Sequence, residues 1–367
     1  MSNNYYFFCL AYANIPAILS IIERKGISKS NINIIVTLKS RRLFWQELIK
    51  YNNLKWKIIF LKKIENYNLK NPINWYKIRK DIKIIFENNF KCVNYSNIYF
   101  FSHSFALDAF ALIKMLSQAK NKIYFLDCDK MEYPKWHKLY KLKSVIRLLI
   151  LGYICFGVDI LIADCGWPFP TLSVRFFKNI NVQRLSEKKY PYDINILRKY
   201  NFISKDITEN KTIVLIDEDC FSQSSLSKEE FSNFLSRLKN IIDSNFKRSE
   251  VLFKRHPSIA FHTKQFNSIY CDYSECPFYI SADFIFTEPS IRWVVGGYST
   301  VLRDIPKYYN NVKSISYLKL LTFRNENMKK IIIKGHIEKS DNKINLPNSW
   351  EELNLLLKRN NIRGKDS

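Results

Sequence analysis

Three short stretches hold the residues whose types and spacing suit chemistry, and each follows an apolar run. In EVLFKRHPSIAF, residues 250–261, the run Val251–Phe253 leads straight into Lys254, Arg255, His256 and Pro257. Cations and an imidazole at the mouth of a buried strand suit an anion: the cations supply charge, and the imidazole can hydrogen-bond or protonate an oxyanion. In VVGGYSTVLRDIP, residues 294–306, Gly296 and Gly297 let the chain turn before Tyr298, Ser299 and Thr300 open a helical pattern. Free N–H groups at a helix start, beside two hydroxyls, make a seat for a phosphate. In LDCDKMEYPKW, residues 126–136, Asp127 and Asp129 end a third strand-like run. A carboxylate there suits a general base, and the Asp-x-Asp spacing also suits a divalent metal.

The elements that must position these residues alternate. The patterning predicts strands at 5–11, 31–38, 56–61, 97–102 and 122–127, with helices at 15–24, 75–88 and 104–119. The rhythm breaks over 128–175, and a polar stretch at 186–211 reads as a linker. It resumes with strands at 212–217, 250–254, 268–272 and 291–297 and helices at 227–246, 276–284 and 299–306. Ser227 and Glu230 form the signature of a capping box, and Pro277 suits a first helical turn. Alternation of this kind predicts an α/β fold with two Rossmann-like domains facing a central cleft, ligands lying beyond the carboxyl ends of the strands. The expected divisions are residues 1–190, 191–325, and a basic helical segment 326–367 whose packing against the first domain is left open.

Composition bounds the rest. With 58 Lys plus Arg against 33 Asp plus Glu, the net charge is +25, which attracts polyanions. The cations are spread along the chain and accompany many Asn and Ile, as codon bias alone produces. The eight cysteines show no metal-ligand spacing, Cys271 and Cys276 being the nearest pair, so reduced thiols and no metal site are expected. Tyr5–Ala13 lacks the basic flank of a leader, and the apolar run at 148–163 contains Asp159 and is short for a bilayer, so a buried helix and strand are expected there. His103 follows a strand and could line the cleft, whereas His137 and His262 read as surface residues. Glu218 and Asp219 end the first strand of the second half, and Ser222, Ser224 and Ser225 follow as turn formers.

The three stretches resemble, in order and spacing, the motifs of bacterial sialyltransferases of the two-domain GT-B type. YFLDCDKMEY is similar to the family's acidic motif, LFKRHP to its His-Pro motif and VVGGYST to its Ser-Ser or Ser-Thr motif. The likeness is best over about residues 210–320. It implies an acceptor-side domain at 1–190, a donor domain at 191–325, and metal-independent inverting transfer from a CMP-activated sialic acid or related nonulosonate to a lipooligosaccharide or capsule glycan. Asp127 would be the general base and His256 the group on the leaving phosphate. Lys254, Pro257, Gly297, Tyr298, Ser299 and Thr300 would bind the donor, with no cofactor beyond it. The chain departs from the family at Cys128 and Asp129, where an acid and a glycine are usual, which leaves Asp129 in contention as the base. It departs again at Tyr279, which stands where the family has a cytosine-binding Glu. A CMP-Kdo or other nucleotide-sugar transferase therefore stays open. So does a basic nucleic-acid binder, which 22 Tyr and 27 Phe would serve by stacking, although no nucleic-acid-binding signature is present. The basic surface suits a cytoplasmic enzyme held peripherally at the inner face of the plasma membrane.

Overall fold

The computed structural model describes residues 4–27, 31–61, 72–101, 112, 115–117, 120–127, 158–163, 171–177, 182–186, 189–190, 192–218, 220–256 and 268–358. It divides into two compact units, Met1–Tyr200 and Asn201–Ser367.

The first unit runs β1 (Tyr5–Cys9), α1 (Asn14–Arg24), β2 (Ile32–Val36), α2 (Lys39–Tyr51), β3 (Lys57–Phe60), α3 (Pro72–Asn89), β4 (Asn97–Phe101) and β5 (Lys122–Asp127). The strands β6 (Val158–Ala163) and β7 (Thr171–Phe177) follow, then β8 (Val182–Ser186) and α4 (Ile194–Lys199). Six strands form one sheet in the order β3-β2-β1-β4-β5-β8, every neighbouring pair parallel. Successive residues Phe7, Phe8 and Cys9 of β1 and Ile34, Ile35 and Val36 of β2 are all fully buried. Side chains of both parities being inside means that both faces of the sheet are covered, the arrangement parallel strands require. The register partners Phe7, Tyr99 and Tyr124 stack their rings at 4.8 and 4.6 Å across three strands. β6 and β7 pair antiparallel as a separate ribbon.

The second unit runs β9 (Ile213–Ile216), α5 (Lys228–Asn245), β10 (Val251–Lys254), β11 (Ser274–Cys276), β12 (Trp293–Gly296), α6 (Thr300–Tyr308), β13 (Lys313–Ser316), α7 (Glu326–Lys339) and α8 (Trp350–Leu357). Its sheet, β11-β10-β9-β12-β13, is again wholly parallel. In both sheets the chain steps outward one way from the first strand and then returns to its other side, the order of a doubly wound fold. Two Rossmann-like sheets are thus present, as the alternation predicts. The expected capping box forms: Ser227 Oγ accepts from Glu230 N at 3.2 Å and Ser227 N donates to Glu230 Oε2 at 2.7 Å. Ser227→Ala is expected to cost about 1 kcal/mol, read as a shift in urea midpoint with an unchanged slope.

Three expectations change, and one question left open is answered within the second unit. The strand predicted at 268–272 is a 3-10 turn over 268–270, and the pairing strand is Ser274–Cys276. Tyr270 and Tyr273 are core residues here, and Lys211 Nζ reaches Ser274 Oγ at 2.6 Å, anchoring the strand start. No helix runs through 276–284: residues 277–280 turn, and a short helix covers Ala282–Ile285. Lys254 Nζ takes the Phe278 carbonyl that a helix through this segment would bond to residue 282. Residues 194–199, expected in the second domain, sit with the first, where Lys199 Nζ pairs with Glu23 Oε2 at 2.5 Å and Tyr200 Oη donates to Glu23 Oε1. The segment 326–358 packs on its own unit: Trp350 meets Phe234 at 4.9 Å between ring centroids, and Leu353 and Leu357 are fully buried in the second unit's core. Of the helix expected at 104–119, residues 112 and 115–117 are described, as helix. The strand half of the apolar run at 148–163 is β6, and its first ten residues lie outside the described ones. Among the described residues no helix is long and apolar enough to cross a membrane.

Candidate functional site

In a doubly wound sheet the ligand side is the crevice at the carboxyl ends of the two strands where the order reverses. In the second unit those strands are β9 and β12. β9 delivers Asp217 and Glu218, and β12 delivers Gly297, Tyr298, Ser299 and Thr300.

The loop between β12 and α6 is pinned from three elements. Glu218 Oε2, at the end of β9, accepts the Tyr298 N–H at 2.5 Å. Ser316 Oγ, at the end of β13, donates to the Gly297 carbonyl at 2.6 Å. His336 Nε2, on α7, lies 3.2 Å from the Tyr298 carbonyl. Ser299 then caps α6, its Oγ accepting from Val301 N at 3.4 Å. The backbone that would cradle an anion is therefore fixed before any ligand arrives, the condition for stabilising developing charge without reorganisation.

The two glycines are needed for room. Among the described residues the glycine with a positive φ is Gly26, so neither Gly296 nor Gly297 is required by its backbone angle. A Cβ on Gly297 would stand 2.2 Å from Cys220 Sγ and 3.0 Å from Glu218 Oε2; one on Gly296 would meet Leu302 Cδ1 at 3.2 Å and Ile216 Cβ at 3.3 Å. Cys220 Sγ also lies 3.8 Å from Tyr317 Oη. A packed layer of Glu218, Cys220 and Tyr317 thus underlies the loop.

Electrostatics follow from burial. Desolvation raises the Glu218 carboxyl to about 8, against the pull of the Tyr298 N–H and the neighbouring Ser299. At neutral pH this group is mostly a neutral acid, so it holds the loop without placing a full negative charge where an anionic ligand would sit. His336 is driven down to about 4 by burial and by Arg303. It is a neutral imidazole that orients Tyr298.

Of the residues singled out in the sequence, Gly297, Tyr298, Ser299 and Thr300 form this loop, the last three half-buried. Lys254 and His256 come from the end of β10, which neighbours β9 in the sheet. His256 is half-buried there. Lys254 is 3% exposed and its Nζ donates to the Arg255 carbonyl at 2.5 Å and the Phe278 carbonyl at 3.2 Å. Burial lowers its ammonium to about 8. It acts on the half-buried Tyr279 indirectly, by fixing the turn that carries that residue. Asp127 ends β5 in register with Ser186 of β8. Its side chain, and all of Asp129, His103 and Pro257, lie outside the described residues. Among the described residues no cluster of His, Cys, Asp and Glu could hold a metal ion. Glu218 was legible as a strand-end acid, but its role on Tyr298 was not. Cys220, Tyr317 and His336 carry no local signal at all.

No family model matches the chain, and no curated protein matches it. Solved structures are similar to it at low identity. The GT-B domain of a sialyltransferase from Photobacterium damselae is 14% identical, with 94% of this chain and 99% of that one covered and a TM-score of 0.44. The S. aureus MnaA–UDP co-structure is 10% identical over 96% and 94% of the two chains, with a TM-score of 0.46. UDP-GlcNAc 2-epimerase from Neisseria meningitidis, bound to UDP-GlcNAc, is 9% identical over 96% and 99%, with a TM-score of 0.44. At such values the site has to be read from its own residues.

Proposed function

We propose that this chain is a nucleotide-sugar enzyme of the GT-B glycosyltransferase kind, and that it transfers sialic acid or a related nonulosonate from a CMP donor to a surface glycan. The observation that carries the reading is the Gly297–Thr300 loop, pinned by Glu218, Ser316 and His336 at the strand-order reversal, with His256 at the end of a strand one removed. The motif order in the sequence supports the donor class.

In this reading the donor phosphate sits at the start of α6. The bond from the sugar carbon to the phosphate oxygen breaks, and its electrons pass to that oxygen, where His256 donates a hydrogen bond or proton. The acceptor hydroxyl forms the new bond, its proton passing to Asp127, with Asp129 as the alternative base. Lys254 supports the site by holding Tyr279 and its neighbours. Tyr279, which replaces the acid expected against cytosine, keeps a related acidic CMP sugar such as CMP-Kdo as the second reading. The net charge of +25 suits peripheral attachment to an anionic surface.

Calorimetric titration of CMP, with EDTA present, tests the reading. Wild type is expected to bind in the micromolar range, and His256→Ala to bind about ten- to a hundredfold more weakly, the loss of one charge-assisted hydrogen bond. Binding indifferent to His256 would remove the phosphate from this loop. No CMP binding, together with nucleic-acid retention that falls steeply with salt, would replace the enzyme reading by the nucleic-acid one.

A further inference from the structure

We infer that the first unit binds a phosphate-like oxyanion at the start of α2, between the buried guanidinium of Arg41 and the uncapped amides of the first helical turn. Arg41 is 6% exposed. Its Nη2 donates to Thr37 Oγ1 at 3.1 Å, which turns the guanidinium back over the residues that enter the helix. Its buried Nε has no acceptor among the described residues. Among the described residues no carboxylate pairs with it; the groups that act on it are the Cys9 thiol and the Tyr12 phenol. Burial lifts the thiol to about 11 and raises the phenol further, so neither is an anion at neutral pH. A buried cation with no counter-charge among the described residues is costly, and an anionic ligand would remove that cost.

The helix calls for the same ligand on separate grounds. Leu38 occupies the N-cap and offers no side-chain acceptor. The first backbone bond into α2 runs from Arg42 N to Leu38 O, so the amides of Lys39, Ser40 and Arg41 have no acceptor among the described residues. The first turn contains no acid. Instead Lys39, Arg41 and Arg42 crowd cations onto the positive end of the helix dipole, the opposite of what stabilises a helix by itself. Lys39 is exposed, whereas Arg42 lies over the Phe60 ring at 5.3 Å. The turn directly follows the carboxyl end of β2, the side on which a doubly wound sheet takes ligands. A guanidinium whose Nε is unbonded, beside three first-turn amides without acceptors, suits a tetrahedral oxyanion: inorganic phosphate or the phosphate monoester of a larger acceptor.

The test is thermal unfolding of the full chain in phosphate against chloride at matched ionic strength, with Arg41→Met and Leu38→Asp beside wild type. Wild type is expected to gain roughly 5 °C when phosphate exceeds its dissociation constant about a hundredfold. Arg41→Met should melt no lower than wild type in chloride, since it removes an unpaired buried charge, should ignore phosphate, and should bind CMP as wild type does. Leu38→Asp supplies the missing cap, so it should melt higher in chloride and also ignore phosphate; it keeps the test open if Arg41→Met does not fold. A sugar phosphate binding at least tenfold more tightly than inorganic phosphate would assign the seat to a phosphorylated acceptor, and equal binding to the free ion. Equal phosphate stabilisation of all three proteins would mean diffuse attraction to the net positive charge and overturn the site. A wild type that ignores phosphate would overturn it as well.

Discussion

Gly297→Ala is expected to abolish CMP binding and to destabilise the protein by more than about 3 kcal/mol, at the upper end of what overpacking costs. The added methyl would fall 2.2 Å from Cys220 Sγ and 3.0 Å from Glu218 Oε2. Cys220 cannot swing away cheaply, because it is fully buried in the core cluster that holds Tyr317. Nor can the loop lift, since Glu218, Ser316 and His336 hold it from beneath and beside. Gly296→Ala meets its neighbours at 3.2 and 3.3 Å and is expected to cost clearly less. Cys220→Ala removes the atom in the way, so the double mutant with Gly297→Ala should recover much of the loss, a coupling that a double-mutant cycle in urea measures. Equal effects of the two glycine substitutions, or strict additivity with Cys220→Ala, would show that the loop relaxes and is not preorganised.

Glu218→Gln is expected to remove a fall in stability that wild type shows between about pH 5 and 8. Burial lifts the Glu218 carboxyl from 4.5 to about 8. Across that window the folded chain keeps a proton that the unfolded chain has lost, so stability declines as pH rises, by on the order of 2–4 kcal/mol in all. Glutamine keeps the uncharged shape and has no proton to lose. The variant should therefore match wild type near pH 4.5 and exceed it near pH 9. Lys254 works in a different window. Its ammonium, lowered from 10.5 to about 8, costs stability fully below 8 and regains it as pH climbs to 10.5, so the two slopes separate in a urea series across pH. CMP affinity carries the first signature. Above about 8 Glu218 gains negative charge beneath the loop, which weakens a phosphate ligand. Glu218→Gln should remove that loss. An unchanged slope between pH 5 and 8 in the variant would mean that Glu218 is ionised in the folded protein.

What could be read from the sequence is what neighbours along the chain decide. β5 covers the residues its apolar run marks, and Ser227 and Glu230 close their capping box because a cap needs partners three residues apart. The two rounds of strand and helix predict two parallel sheets for the same reason: the inner strands' burial on both faces is written in their own runs of Phe, Ile and Val. Where local rules were broken, the reading failed. α2 went unseen, since Leu38 is no cap and three cations stand at its start. The segment after β11 looked helical until Lys254 claimed the Phe278 carbonyl. Lys254 itself has the composition of a phosphate ligand, and only folding turned it onto backbone. The site's machinery lies further out of reach. Tyr298 meets Glu218 across 80 positions and His336 across 38, and Cys220 meets Tyr317 across 97. These contacts exist because sheet order brings the ends of β9, β12 and β13 side by side. No periodicity or cap encodes such a meeting; packing decided it, through the burial that excludes water from Glu218 and the space that admits only glycine at 297.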